Sequence, residues 1–427
     1  MPVASIVFWG SALLTPAWSA LGLLLARAAR QVPILRGELD RGPAPAGGST
    51  GRDASPEGGS PLPGLSIVVT ARDEAQGIES TVRRLLAQRY PRLEIIVVDD
   101  RSTDATGPIL DRLLAGSGAT RLTVVHNREL PPGWLGKCHA CRLGADRAGG
   151  SWILFLDGDV ELCEDDLLER VLRLAEGRGL DHLAIIPDQR PVSALQQSLL
   201  AAFAQVFLLA GRVFEMDRDR PRGGVGIGAF NLIRRSAYDR IGGHVLLKMD
   251  PADDYKLGRL LKESGARQRL FDGVGMIRCP WHKGALNVAR GLEKNLFAGL
   301  DYSIVELLVC SLLALFLAFG PLLLGMTAML ATRSATVISI LAWVPFALQL
   351  AALGHDLRIM TRRQGGSVSG LLLLYPAAAL LLVGAAWNSA LKTLMRGGIR
   401  WRETFYPLAE LRAGRVRAGA GRRLRVL

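Results

Sequence analysis

Cysteine is scarce in this sequence, with 5 among 427 residues. Such a low content in so long a chain argues against a scaffold held together by disulfides. Cys138 and Cys141 form one Cys-x-x-Cys, but a structural zinc site needs a second pair, and Cys163, Cys279 and Cys310 are widely separated. The surroundings of the pair also differ from those of a thioredoxin-like redox motif. We therefore do not expect cysteine chemistry to carry the function.

The sequence also lacks a glycine-rich phosphate loop. The turn after its first predicted strand reads Thr70-Ala71-Arg72-Asp73-Glu74, which contains neither G-x-G-x-x-G nor the Walker pattern. This absence disfavours dehydrogenases and P-loop nucleotidases. If the protein binds a phosphorylated ligand, a metal ion and cations such as Arg72 and Lys137 must meet the phosphates instead.

Charge is nearly absent from several long stretches, although the chain as a whole is 49% hydrophobic. A span of roughly 20 apolar residues suffices to cross a bilayer as a helix. The first such stretch has no basic region before it and no convincing cleavage site after it, so we expect a retained anchor over residues 3–27. Three more candidates lie within residues 303–391, and two of them could be broken, at Gly320-Pro321 and at Pro376. The four candidates are Val3–Ala26, Ser303–Leu330, Ala335–Gly354 and Val368–Leu391.

The net charge of +13 does not indicate a nucleic-acid-binding protein, because arginines concentrate beside the apolar stretches. This distribution favours contact with an anionic membrane surface. The tail, residues 396–427, is also rich in arginine. Three full crossings after a cytosolic domain would place this tail outside, against the charge rule, so we favour a cytosolic tail with one late segment that does not cross.

The middle of the chain has a different composition. Residues 37–64 are rich in Gly, Pro, Ala and Ser and predict a flexible tether. Residues 65–300 alternate short β-branched runs with helical stretches, which predicts an α/β domain with a mostly parallel sheet. One stretch, Ser193 to Val213, fits either an amphipathic helix at the membrane interface or a buried helix of the domain.

Polar residues follow three of the predicted strands where each strand ends. They are Thr70, the pair Asp99 and Asp100, and the pair Asp157 and Asp159. In an open parallel sheet, ligands bind beyond the carboxyl ends of the strands. Asp157-Gly158-Asp159 ends an apolar run, and two carboxylates there can hold a divalent cation and through it a diphosphate. The alternative is an ordinary turn, since Asp and Gly are common turn residues.

A second acidic pair, Asp253-Asp254, begins a predicted helix. Carboxylates at a helix start are often caps. A carboxylate can also take the proton of an attacking hydroxyl as a general base.

These segments together resemble the family 2 inverting glycosyltransferases with the GT-A fold. The resemblance rests on residues 66–74, 94–104, Gly136-Lys137, Asp157-Gly158-Asp159, 228–238 and 253–258, in the family's order and spacing. Apolar segments on both sides make the chain similar to the membrane-bound branch, which includes ceramide glucosyltransferase and the bacterial enzymes associated with hopanoids or carotenoids. The fold implied is a GT-A α/β domain with N-terminal and C-terminal transmembrane helices.

The resemblance also implies roles for individual residues. Asp99 or Asp100 would contact the uracil and ribose of a nucleotide sugar, Thr70 and Arg72 would line the same pocket, and Lys137 would face the nucleotide or its diphosphate. Asp159, helped by Asp157, would coordinate Mg²⁺ or Mn²⁺. Asp254 would be the general base, with Asp253 and Trp281 on the substrate side, although Trp281 fits interfacial packing equally well.

The chain departs from the family pattern at two places. It has Asp73 where the family usually has Asn, and it lacks the Gln-x-x-Arg-Trp segment of the processive synthases. We therefore expect transfer of one sugar from a UDP-sugar to a lipid-borne acceptor at the cytosolic face of the cell inner membrane. A processive polysaccharide synthase and a non-catalytic scaffold that binds sugar nucleotides are the alternatives.

Overall fold

The computed structural model describes residues 3–41, 61–116, 121–218, 222–279, 282–332 and 337–416. The strands, in chain order, are β1 (Leu65–Ala71), β2 (Leu93–Asp100), β3 (Leu122–Asn127), β4 (Trp152–Asp157), β5 (Glu161–Leu162), β6 (His182–Ile186), β7 (Asn231–Arg234), β8 (Gln268–Asp272), β9 (Ile277–Arg278), β10 (Gly398–Trp401) and β11 (Thr404–Pro407).

The α-helices are α1 (Val3–Arg30), α2 (Leu35–Asp40), α3 (Ile78–Leu86), α4 (Thr106–Gly116), α5 (Gly136–Arg147), α6 (Leu167–Gly177), α7 (Ala194–Ala210), α8 (Arg235–Arg240), α9 (Asp253–Glu263), α10 (Ala285–Gly291), α11 (Leu296–Gly299), α12 (Ile304–Thr332), α13 (Val337–Leu341), α14 (Val344–Gln364), α15 (Val368–Arg396) and α16 (Leu408–Ala413). The chain forms two compact units. The sheet unit comprises residues 31–189, 215–279 and 413–427, and the helical unit comprises residues 1–30, 190–214 and 280–412.

The sheet unit is built on a seven-stranded sheet in the order β3-β2-β1-β4-β7-β6-β8. β7 runs antiparallel to β4 and β6, and the other neighbours are parallel. β1 is buried at nearly every position, as expected for a strand covered on both faces. The predicted α/β class with a mostly parallel sheet is therefore confirmed.

Trp152 at the start of β4 is fully buried in the core of this unit. Its indole nitrogen donates to Glu176, and the guanidinium of Arg234 lies 4.5 Å from its ring centroid. Arg234 also donates to Glu176, so the three side chains close a small network beside the sheet. Burying one large aromatic side chain contributes about 3–5 kcal/mol to the free energy of unfolding.

The predicted tether, residues 37–64, overlaps a short helix at its start. Gly37 to Asp40 belong to α2, whose Glu38 forms an ion pair with Arg178 and whose Asp40 forms one with Arg170. These ion pairs link α2 to α6 and to the residue that follows it. Residues 42–60 lie outside the described part of the chain.

In the described part of the helical unit, four helices are long and apolar enough to cross a membrane. They confirm the four predicted segments, with somewhat different ends: Ser5–Arg30, Ile304–Leu330, Ser339–Arg362 and Val368–Arg396. The protein is therefore a membrane protein by the length and composition of its helices.

Neither suspected proline breaks its helix, since Pro321 lies inside α12 and Pro376 inside α15. A proline leaves the carbonyl four residues earlier without its helical donor. At Pro321 that carbonyl belongs to Leu317, and it accepts hydrogen bonds from Trp18 at 3.2 Å and Gln349 at 3.3 Å. Side chains of neighbouring helices thus replace the missing donor.

The ambiguous stretch Ser193 to Val213 forms α7, which groups with the helical unit. Its Gln197 donates to the carbonyl of Gly365, and its Ser198 donates to that of Leu371. Gln205 donates to Asp356 and accepts from Tyr375. Residues 190–214 and 280–300, which the sequence placed in one domain with residues 65–189, therefore belong to the helical unit.

Candidate functional site

The carboxyl ends of β1, β2 and β4 meet at one edge of the sheet. Thr70 on β1 is paired with Asp157 on β4, and Ala71 is paired with Asp99 on β2. The sequence prediction that three polar strand ends lie together is therefore correct. α5 follows β3, and its second residue, Lys137, faces this edge: Nζ lies 2.8 Å from Oδ1 of Asp157.

Gly228 lies where the key side chains converge. A Cβ atom placed on it would lie 2.8 Å from Oδ2 of Asp157, 2.9 Å from Oδ2 of Asp254 and 3.0 Å from Nζ of Lys137. A side chain at this position would therefore displace the ends of these three side chains. The backbone N–H of Gly228 also donates to Oδ2 of Asp254 at 2.7 Å. Asp157 at the end of β4 and Asp254 at the start of α9 therefore belong to one site.

A cavity opens at this point. It is lined by the predicted residues Thr70, Lys137, Asp157, Asp253 and Asp254, together with Cys141, Phe155, Leu156, Gly228, Asn231, His244 and Leu257. The sequence reasoning missed His244 and Asn231 as lining residues. Two features of the sequence point to these residues. His244 shortly precedes the acidic pair Asp253-Asp254, and Asn231 lies in the segment 228–238 that carries part of the resemblance.

The charge of Lys137 is set by its surroundings. Burial disfavours its ammonium, but the carboxylates of Asp157, Asp253 and Asp254 outweigh that effect and raise the pKa of Lys137 well above its usual value. Lys137 is therefore a cation at neutral pH. It is a fixed positive charge at the strand ends, where a diphosphate would need one.

Asp159 lies at the rim of the same edge, beyond Asp157. The residue is exposed as a whole, yet the protein around its carboxylate desolvates it, and Asp157 adds negative charge, so the pKa of Asp159 is raised. The thiol of Cys279 lies 3.7 Å from Oδ1 of Asp159. Two neighbouring carboxylates, one of them poorly solvated, form the oxygen donor set that Mg²⁺ and Mn²⁺ prefer, so these residues fit a divalent cation.

Asp99 and Asp100 are both buried but have different partners. Asp100 accepts two hydrogen bonds of 2.9 Å from Arg101 and one of 2.8 Å from Asn127. Arg72 approaches the same carboxylate at 3.9 Å. Asp99 accepts from His126 on one oxygen, and its other oxygen has a long contact of 3.4 Å with the backbone N–H of Ser102. Of the two carboxylates, Asp99 can therefore accept more additional hydrogen bonds from a ligand.

The loop between β1 and α3 is tied to the loop after β2. Asp73 accepts hydrogen bonds from the backbone N–H and the hydroxyl of Thr103, and Asp104 accepts from the backbone of Thr106 and Ala75. Asp104 therefore caps the first residue of α4 and ties it to the loop after β1. Asp73 has a φ of 54°, a left-handed conformation that Asn and Asp tolerate better than most residues, so the change from Asn to Asp is accommodated.

Cys141 of the Cys-x-x-Cys lines the cavity, but the motif does not form a metal site. Trp281 lies outside the described residues. Cys138 and Cys141 are buried, and burial, followed by the charge of Asp253, raises the pKa of both thiols. Cys141, His244 and Asp253 bring possible ligand atoms within 4.8 Å of one another. A protonated thiol next to the ammonium of Lys137 is nevertheless a poor ligand set for zinc.

An α/β domain with an acidic, lysine-containing cavity at its parallel strand ends belongs to the class that binds ligands at this edge. Residues 66–242 match the family model described as Glycosyl transferase family 2. This part of the chain therefore has the sequence features of the family 2 glycosyltransferases, and the resemblance inferred from its motifs is confirmed.

Curated relatives cover the same region. The chain is 24% identical over 236 residues to a 4,4'-diaponeurosporenoate glycosyltransferase of Staphylococcus haemolyticus. This alignment covers 55% of this chain and 61% of that protein. The chain is 29% identical over 154 residues to the succinoglycan biosynthesis protein ExoO of Rhizobium meliloti, covering 35% and 42%. The matches thus span less than two thirds of the length of these relatives.

Among solved structures, the chain is similar to the mannosyltransferase PcManGT from Pyrobaculum calidifontis in complex with GDP-Man and Mn²⁺. The TM-score is 0.48 at 18% identity, and the match covers 91% of this chain and 99% of that one.

Proposed function

We propose that the protein transfers a single sugar from a UDP-sugar to a lipid-borne acceptor, with inversion at the anomeric carbon. The observation that supports this most directly is the convergence of Asp157, Lys137 and Asp254 around Gly228. One cavity thus offers a cation for a departing diphosphate and a carboxylate for an incoming hydroxyl. An inverting transfer needs both, on opposite sides of the reacting carbon.

Asp254 is the proposed general base. Its Oδ2 accepts the N–H of Gly228 and its Oδ1 accepts that of Tyr255, so two backbone donors hold the carboxylate in the cavity. From there it would take the proton of the acceptor hydroxyl as that oxygen attacks. Asp253, buried beside it at the start of α9, would contact the substrate.

Lys137 would stabilise the negative charge of the diphosphate as the bond to the sugar breaks. Asp159 and Asp157 would hold Mg²⁺ or Mn²⁺, which supplies charge neutralisation to the leaving group when bound. Asp99, with Thr70 and Arg72 nearby, would bind the nucleoside.

A lipid acceptor is supported by the four apolar helices and by the carotenoid-related name of one relative. We place the catalytic domain on the cytosolic face of the cell inner membrane, where nucleotide sugars are available. The basic tail, residues 396–427, would lie on the same side, which requires that one of the three late helices does not cross the membrane.

The test is to incubate membranes containing the full chain with labelled nucleotide sugars and to analyse the lipid extract. We expect one labelled lipid, formed with one donor in the presence of Mn²⁺ or Mg²⁺. Long polymeric products would indicate a processive synthase instead. UDP binding without any product would indicate a scaffold.

The matched variants for this test are Asp254→Asn and Asp239→Asn. Asp239 forms an exposed ion pair with Arg235 on α8, away from the cavity lining. Asp254→Asn should lower turnover by about 10²–10⁴-fold, the range for loss of a general base, and keep UDP binding. Asp239→Asn should keep both, and unchanged turnover in Asp254→Asn would exclude our base assignment.

A further inference from the structure

His126 lies between two carboxylates, outside the cavity described above. Its Nδ1 is 2.9 Å from Oδ2 of Asp99 and its Nε2 is 3.0 Å from Oδ1 of Asp111. His126 is directly paired with Asp99 in the β2–β3 register, and Asp111 lies on α4. One third of the His126 side chain is exposed, whereas Asp99 is buried.

Both contacts can be hydrogen bonds only when the imidazole is protonated. A neutral imidazole has one N–H, so its second nitrogen would present a lone pair to a carboxylate oxygen. The hydrogen bond to Asp99 is the main reason why the pKa of His126 is raised above its usual value of 6.5, and Asp111 adds to the effect against partial burial. The arrangement therefore favours the imidazolium.

Gly107 restrains the pair from the side of α4. A Cβ atom on Gly107 would lie 3.1 Å from Oδ2 of Asp99 and 3.8 Å from Nδ1 of His126. The first turn of α4 therefore closes over the hydrogen bond, and a larger residue would displace it. Oδ2 of Asp99 is hydrogen-bonded to His126. Oδ1 is therefore the oxygen that we expect to accept a hydrogen bond from a ligand.

The charged groups around His126 come from two elements. Asp99 reaches it from β2 and Asp111 from α4. The next residue, Asn127, contacts a separate group on the other face of β3, donating to Asp100 and lying 3.3 Å from His139. In the described residues, the two acids are thus the charges in direct contact with the imidazole.

We propose that His126 is a positioning residue for the nucleotide donor: its imidazolium, held between Asp99 and Asp111, orients Asp99 toward the pyrimidine ring, so that donor affinity falls as rising pH removes the proton. The proposal rests on the proposed function, in which Asp99 binds the nucleoside. Deprotonation also removes one positive charge near a site for an anionic ligand, which acts in the same direction.

The test uses the full chain in detergent with Mn²⁺ and measures the Kd of UDP by calorimetry from about pH 5.5 to about pH 8.5, the range over which an imidazole titrates. Wild type is compared with His126→Gln, Asp111→Asn and Asp146→Asn. Asp146 forms an exposed ion pair with Arg142 on α5 and serves as the charge-matched control. The ratio of variant Kd to wild-type Kd cancels the ionisation of UDP itself.

We expect His126→Gln to bind UDP about two- to fivefold more weakly at the acid end, the range that corresponds to a partly exposed ion pair, and equally at the alkaline end. Asp111→Asn should move the fall in affinity to lower pH, because the imidazolium loses one of its carboxylates. Asp146→Asn should leave the wild-type profile unchanged.

If the ratio of the His126→Gln Kd to the wild-type Kd stays constant over this pH range, His126 does not position Asp99. The proposed function is unaffected by that result. If His126→Gln does not fold, an Asp111→Asn profile identical to wild type has the same meaning. Absence of UDP binding by the wild type at every pH would instead contradict the proposed function.

Discussion

The ammonium of Lys137 and the carboxylate of Asp157 are joined at 2.8 Å across the strand ends, although they come from different elements. The pair neutralises one of the two acids that follow β4. Asp159 lies two residues further on, where burial and the charge of Asp157 raise its pKa. In the proposed function Lys137 would face the phosphates, and Asp159 with Asp157 would hold the metal.

Replacement of Lys137 should therefore weaken donor binding. We expect Lys137→Gln to raise the Kd of UDP by about tenfold or more, since a hydrogen bond to a charged group contributes about 1.5–3 kcal/mol. Calorimetry with UDP and Mn²⁺ measures the effect. Lys248→Gln, at an exposed position, is the control, and an equal loss in both variants would contradict the assignment.

A methyl group at Gly228 should displace the three charged side chains that converge there. Gly228→Ala places a carbon within 3.0 Å of Asp157, Asp254 and Lys137, so we expect sugar transfer to be lost while the sheet unit stays folded. Gly116→Ala at the end of α4 is the matched control, because none of the described residues lies within 4 Å of its added Cβ. Product formation and melting temperature together distinguish a blocked site from an unfolded one.

Removal of the Asp159 charge should lower activity without lowering stability. The surrounding protein and Asp157 disfavour its charged form, so without metal Asp159→Asn should melt at or above the wild-type temperature. With Mn²⁺ present, turnover should fall by about 10²-fold or more, as for loss of one electrostatic contact to the leaving group. A variant that retains Mn²⁺-dependent turnover would exclude Asp159 as a metal ligand.

The Trp152–Glu176–Arg234 network should make stability depend on pH. Burial disfavours the Glu176 carboxylate, but hydrogen bonds from Arg234 and Trp152 prevail and lower its pKa below the usual 4.5. The contribution of the Glu176 carboxylate to the free energy of unfolding is therefore fully present above pH 4.5. It is lost as the pH falls through the lowered pKa. Glu176→Gln should cost about 1 kcal/mol near neutral pH, and the difference from wild type should shrink in acid melts.

Gln205 should stabilise the helical unit through its two side-chain partners. Tyr375→Phe removes one hydrogen bond and Gln205→Leu removes both, to Tyr375 and Asp356. Hydrogen bonds between membrane helices average about 0.6 kcal/mol, so we expect small, ordered losses in melting temperature. Leu373→Ala, at an exposed position of α15, controls for general truncation in detergent.

Much of the sheet and of its polar edge could be predicted from the sequence. β1, β2 and β4 are continuous apolar runs, and each is followed by the residues that line the site, so local pattern and strand order suffice. The link between Asp157 and Asp254 could not be predicted in this way. It depends on the close approach of Gly228, which the pairing of β7 with β4 brings to the same edge.

The helices show the limits of local pattern in another way. Pro321 indicates a break when α12 is considered alone. The side chains that donate to the free carbonyl of Leu317 are Trp18 and Gln349, which are distant in sequence. The polar residues of α7 likewise left two interpretations open. Their partners lie on α14, on α15 and at the turn between them, so only tertiary structure decides between them.

The placement of α7 has a consequence for how the protein is made. Ribosomes release α7 well before α14 and α15 exist, yet Gln197, Ser198 and Gln205 find their partners on those helices or between them. The polar side chains of this apolar helix therefore lack these partners while more than a hundred further residues are synthesised. During that interval it is a natural client for a chaperone or an insertase. A chain truncated before α14 would leave the side chains of Gln197, Ser198 and Gln205 without these partners.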